Sequence, residues 1–97
     1  MYLKLHSTPK GEVVALCDAE LIGRVLADGA RRLDLAVFAD FYRGRLVGPE
    51  EAASALRAAA NANIVGEKSM AAARKAGLDV SASVSISGVP HLQIYRI

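Results

Sequence analysis

Cys17 and Asp18 adjoin where an apolar run, Val13 to Cys17, gives way to the spacing Leu21, Ile22, Val25, Leu26. A thiol at such a junction sits beside free backbone N–H groups that lower its pKa. With His91 or His6 near it in space, it would make a nucleophile pair, and Cys17, Asp18 and His91 are the candidates for catalysis. The same residues have a plainer use, as a small buried cysteine followed by a helix-capping aspartate. Pooled as metal ligands, His6, His91, Cys17 and Asp18 lack both the i, i+4 helical pairing and a CxxC. No metal is expected from that spacing.

Phe41-Tyr42-Arg43-Gly44-Arg45 interleaves rings with guanidinium groups, and Arg24, Arg31 and Arg32 could join it. Aromatic faces stack on unpaired bases, and arginine holds phosphate in a two-pronged fork. The plainer reading puts Phe41 in the core, Tyr42 at its rim and the arginines in a solvated turn. Asn63-Ile64-Val65-Gly66-Glu67-Lys68-Ser69 leads into a helix whose first N–H groups favour an anion, with Lys68 and Ser69 to help hold it. Its single glycine does not make the GxxxxGK[ST] of a nucleotide loop, and no cofactor is expected. Otherwise this stretch is a rigid turn between two helices, with Asn63 and Ser69 bonding backbone. His91 follows the stiff turn Gly88-Val89-Pro90, where a ring can do acid–base work, grip a ligand or serve the fold.

Positioning these residues falls to one domain of 97 residues. Of its 51 apolar residues, 18 are alanine and five aromatic, so the core is aliphatic and its helices are thin. A chain this short buries about 60–65% of its unfolded surface, which leaves apolar area for a subunit interface. Twelve basic residues against ten acidic give a net charge of +2. That excludes disorder driven by charge and gives no strong nonspecific pull on nucleic acid. One cysteine excludes an internal disulfide. No apolar run reaches the roughly 18 residues of a membrane span, and MYLKLH is too polar for a signal peptide. The expectation is a soluble cytoplasmic protein that does not engage membranes.

Met1, Leu3 and Leu5 alternate with Tyr2, Lys4 and His6 as in a half-buried strand, and the run after the Ser7–Gly11 turn completes a hairpin. Asp18 then suits a short helix, unless Gly23 stops it and Arg24 to Ala27 run extended. Arg32 to Val37 alternates as a strand. Pro49 with Glu50 and Glu51 opens a helix to about Ala60, ended by Asn61-Ala62-Asn63. A second helix spans Glu67 to about Ala76, with Gly77 and Leu78 set for a Schellman stop. Val80 to Ser87 alternates apolar residues with serine, the clearest strand signal, and Leu92 and Ile94 mark a last strand. The order ββ, short α, β, αα, ββ predicts an α+β fold: a mainly antiparallel sheet with two to three helices packed on one face.

Taken together, Cys17-Asp18 with Leu21 and Gly23, Leu33-Asp34-Leu35, Phe41-Tyr42 with Gly44, Asn63-Ile64-Val65-Gly66-Glu67 and Gly88-Val89-Pro90-His91 resemble, in this order, the archaeal family known as domain of unknown function 424. Arg24 stands where that family often has lysine, which keeps the charge. The resemblance implies an archaeal cytosolic protein with no assigned activity, and by association a place near the translation machinery. It supplies no catalytic residues. The residues themselves favour a non-catalytic binding module for RNA or a translation-related ribonucleoprotein, with Phe41, Tyr42, Arg43, Arg45, Asn63, Glu67, Lys68 and His91 as binding candidates. A homodimeric adaptor is the alternative, and a small enzyme using Cys17, Asp18 and His91 comes after it.

Overall fold

The computed structural model describes residues 1–95. Strands β1 (Tyr2–Thr8) and β2 (Gly11–Cys17) form the anticipated hairpin, with Leu3 opposite Leu16 and Tyr2 opposite Cys17. Asp18 to Gly23 is not a helix. A single 3-10 turn, Ala19–Leu21, ends at Gly23, whose φ of +92° turns the chain away. The extended alternative holds, and Val25–Asp28 (β3) pairs with Arg31–Asp34 (β4) as a separate two-stranded ribbon. The strand expected to reach Val37 stops at Asp34, because its carboxylate accepts the amides of Ala36 and Val37 and bends the backbone. A short helix α1 (Ala39–Tyr42) and a two-residue strand β5 (Arg45–Leu46) follow.

Helix α2 (Pro49–Ala58) begins with proline in its first turn, as anticipated. The next helix does not follow directly. Asn61–Val65, read from sequence as a turn between helices, is strand β6 at the centre of the sheet. It runs parallel to β2 and antiparallel to β8. Asparagine is depleted in strands, but the segment still alternates, with Ala62 and Ile64 on one side and Asn61, Asn63 and Val65 on the other. Helix α3 (Glu67–Lys75) ends in the anticipated Schellman motif: Gly77 N–H donates to Arg74 and Leu78 N–H to Ala73. The serine-alternating stretch is a strand only over Val84–Ile86 (β7), since Asp79 captures the amide of Ser81 and opens a turn. Strand β8 (Val89–Tyr95) closes the order β5-β1-β2-β6-β8-β7, antiparallel except at β2 and β6.

Two layers cover this α+β sheet. Leu3, Val14, Leu16, Ala62, Ile64 and Leu92 pack under Ala52 and Leu56 of α2 and Met70 and Ala73 of α3. The alanines keep these helices close to the strands. On the other face, Ala15, Cys17 and Val65 pack under Leu26 and Leu33 of the ribbon and Tyr42 of α1. That second face carries the polar residues of the central strands.

Candidate functional site

Register decides which side chains meet. On the face away from α2 and α3, residues Tyr2, Cys17, Val65 and His91 form one row across β1, β2, β6 and β8. Lys4, Ala15, Asn63 and Gln93 form the next. His91 leans across the rows, and its Nε2 lies 2.9 Å from Asn63 Oδ1. Tyr42, lowered onto the sheet by α1, donates its hydroxyl to the same oxygen at 2.7 Å. Three residues from distant stretches thus share one acceptor.

These three floor a recess of about 290 Å³, with Leu33, Phe38, Phe41 and Gln93 as its walls. Phe41 is held from two sides, stacked on His6 at 4.3 Å and edge-on to Tyr42 at 4.9 Å. The His6 ring also bonds the Phe41 carbonyl oxygen at 2.7 Å, fastening α1 to β1. Phe38 lines the recess and is 52% exposed. Burial raises the Tyr42 pKa and lowers that of His91, so the phenol stays protonated and the imidazole favours its neutral form. Such a site can hold a flat, partly polar group by ring contact and hydrogen bonds.

Phe38, Gln93 and Leu33 were not among the sequence candidates. Gln93 had a signal, since it alternates in phase with His91. Phe38 had none, because it lies just past the turn that the Asp34 carboxylate holds, at the start of α1.

The remaining candidates lie elsewhere. Asp18 Oδ1 accepts the Ser69 amide at 2.8 Å and hydroxyl at 2.7 Å, and Oδ2 accepts the Lys68 amide at 3.0 Å. The anion anticipated at this helix start is therefore the protein's own carboxylate. Gly66 makes room for it: a Cβ there would stand 2.2 Å from the Asp18 carboxyl carbon. Lys68 Nζ pairs with Glu20 at 3.2 Å, and Glu67 lines a separate hollow beside Gly66 and Pro90.

The catalytic candidates do not converge. Cys17 is wholly buried, its thiol donates to the Asp18 carbonyl oxygen, and burial first, then the charges of Asp18 and Glu20, push its pKa up to about 12. Val65 of β6 stands between Cys17 and His91, and two strand spacings separate them by roughly 10 Å. Asp18 is spent on α3. No relay links the three. The arginines do not gather either. Arg45 on edge strand β5 pairs with Glu51, whereas Arg31 and Arg32 belong to the ribbon packed beside the opposite edge strand, β7. Arg24 lines the hollow at Gly66, and Arg43 is solvent-exposed just after α1. Among the described residues no three His, Cys, Asp or Glu side chains group as metal ligands, and no helix is long and apolar enough to cross a membrane.

The family described as "Protein of unknown function (DUF424)" matches residues 5–97. A solved structure, that of an uncharacterized conserved protein from Methanopyrus kandleri, superimposes with a TM-score of 0.85 at 31% identity, covering 99% of this chain and 90% of that one. No curated protein matches the chain.

Proposed function

The chain belongs to this family, and from the geometry of its recess we propose that it is a non-catalytic binding module that takes an unpaired base of RNA, free or within a ribonucleoprotein. The observation that carries this reading is the pairing of an exposed Phe38 ring with the hydrogen-bonded floor of Asn63, Tyr42 and His91. A ring wall supplies stacking, which every base accepts, and the polar floor supplies edge contacts. At about 290 Å³ the recess is at the small end for ligand sites, suited to a single flat group. Dispersed arginines and a net charge of +2 assign phosphate a minor share, so affinity falls only shallowly with salt.

Fluorescence anisotropy with short single-stranded and duplex RNA tests the reading. Single strands are expected to bind and duplex not. Phe38→Ala, at an exposed position, is expected to weaken binding by about 1–3 kcal/mol, the worth of one stacked base, without altering the fold. Equal binding of duplex, or an unchanged Phe38→Ala affinity, overturns it. A homodimeric adaptor is the second reading, favoured by the neighbouring exposure of Val37 (73%) and Phe38. Light scattering that gives a dimer dissociated by Phe38→Ala selects that reading.

A further inference from the structure

We infer that the recess reads a base edge through a bare lone pair on His91 Nδ1 and the side-chain NH₂ of Asn63, and so takes an edge with a hydrogen-bond donor beside an acceptor. The inference rests on the base-binding reading and adds what the recess recognises.

Three residues fix one another in turn. Tyr42 is 2% exposed, and its hydroxyl donates to Asn63 Oδ1. Turning the Asn63 amide around would set its NH₂ against that hydroxyl and leave a buried O–H proton with no acceptor. The oxygen therefore faces Tyr42. The same oxygen lies 2.9 Å from His91 Nε2, and an amide oxygen carries no proton, so Nε2 must supply it. A neutral imidazole protonated at Nε2 has its lone pair at Nδ1. Asn63 has both oxygen lone pairs engaged, which leaves its NH₂ as the group it can offer. Among the described residues neither His91 Nδ1 nor Asn63 Nδ2 bonds another protein group.

Neutrality of the ring follows from its surroundings. Val65 on β6, Val84 on β7, Leu33 on β4 and Phe41 on α1 are uncharged. Burial keeps the Tyr42 hydroxyl and the Cys17 thiol on this face protonated, and Tyr95 lies further along β8. Tyr2, Lys4 and His6 also point to this face but stand across the sheet on β1, where Lys4 Nζ donates to the Asp40 carbonyl oxygen and His6 bonds the Phe41 carbonyl oxygen. Protonating His91 would turn its acceptor into a donor and leave two donors side by side, which no longer match an edge with a donor.

The first experiment is long-range ¹H–¹⁵N NMR on the free protein. It is expected to show His91 with Nε2 protonated and Nδ1 bare, and a mixture of tautomers in Tyr42→Phe. A protonated Nδ1 overturns the inference while leaving base binding intact. The second compares short oligouridine and oligoadenosine with versions carrying N3-methyluridine and N6,N6-dimethyladenosine, which lack the edge donor. At least tenfold weaker binding is expected for the methylated strand of whichever base binds. Equal binding overturns the inference but not the module. No binding of any single strand overturns both.

Discussion

The carboxylate of Asp18 and the first turn of α3 at Ser69 lie 51 positions apart in the chain and meet through two hydrogen bonds from Ser69 to one oxygen. Helices of this length take their N-cap from the preceding residue, but here that residue is Gly66, which has no side chain to offer. The cap comes instead from the end of β2, which lies beside β6 in the sheet. Cap and strand order hold each other: pairing of β2 with β6 delivers the carboxylate, and the carboxylate pins the helix that follows β6.

Asp18→Ala is expected to destabilise the protein by about 2–4 kcal/mol, because it leaves two buried-end amides and a hydroxyl without an acceptor. Urea unfolding measures it. Lys68→Ala, which removes only the exposed pair with Glu20, is expected to cost under about 1 kcal/mol. Similar losses for both variants would refute the long-range cap.

Gly66 and Gly77 both have positive φ, +107° and +83°, but different neighbours. Nothing lies within 4 Å of a Cβ at Gly77, so Gly77→Ala is expected to cost about 1–2 kcal/mol from backbone conformation. At Gly66 the added carbon collides with the Asp18 carboxylate, and a loss of more than about 3 kcal/mol is expected. Thermal unfolding of the two variants side by side gives the difference.

His91 couples stability to pH. Burial holds its folded pKa below the ordinary 6.5, so the unfolded chain takes up the proton first as pH falls. The stability from the neutral ring is full above about 6.5 and declines as pH drops toward the folded value. Asp34, Glu50 and Asp79, whose pKa values are lowered by hydrogen bonds or by Lys75, lose their contributions in the more acidic carboxylate range. Urea midpoints between about pH 7 and 5.5 are expected to fall in the native protein and to stay flatter in His91→Asn.

Tyr42→Phe keeps the ring packing and removes the hydroxyl. In either orientation of the Asn63 amide a bond to His91 Nε2 is kept, so the loss is expected to be about 1 kcal/mol, one hydrogen bond. A much larger loss in urea unfolding would mean the floor depends on more than this bond.

The Cys17 thiol is expected to resist thiol reagents in the folded protein. It is inaccessible, and with its pKa near 12 almost none is thiolate at pH 7. Labelling followed by mass spectrometry should proceed at the rate of unfolding, rising with urea. Fast labelling in native buffer would contradict the burial.

Much of the fold was legible because it rests on local rules. Period-two alternation in Tyr2–Thr8 gave the first strand, Pro49 with two glutamates gave the start of α2, and Gly77-Leu78 gave the end of α3 down to its two hydrogen bonds. The errors fell where a polar side chain had two local meanings. Asn61 and Asn63 read as turn residues because asparagine commonly bonds its own backbone. In the protein, Asn61 bonds the Glu12 carbonyl oxygen and Asn63 bonds Tyr42 and His91, partners that satisfy them inside a strand. Asp18 read as the cap of the segment next to it, and its carboxylate went to another helix.

Sequence by itself determined the class of fold, the aliphatic core, the thin helices and the lack of any familiar metal or nucleotide motif, since each follows from residue type and near-neighbour spacing. Tertiary structure decided the strand order, the partner of Asp18 and the meeting of Tyr42, Asn63 and His91 beside Phe38. Those depend on which strands lie side by side and in what register. Register is settled by the burial of two whole sheet faces at once, which no short window of the chain contains.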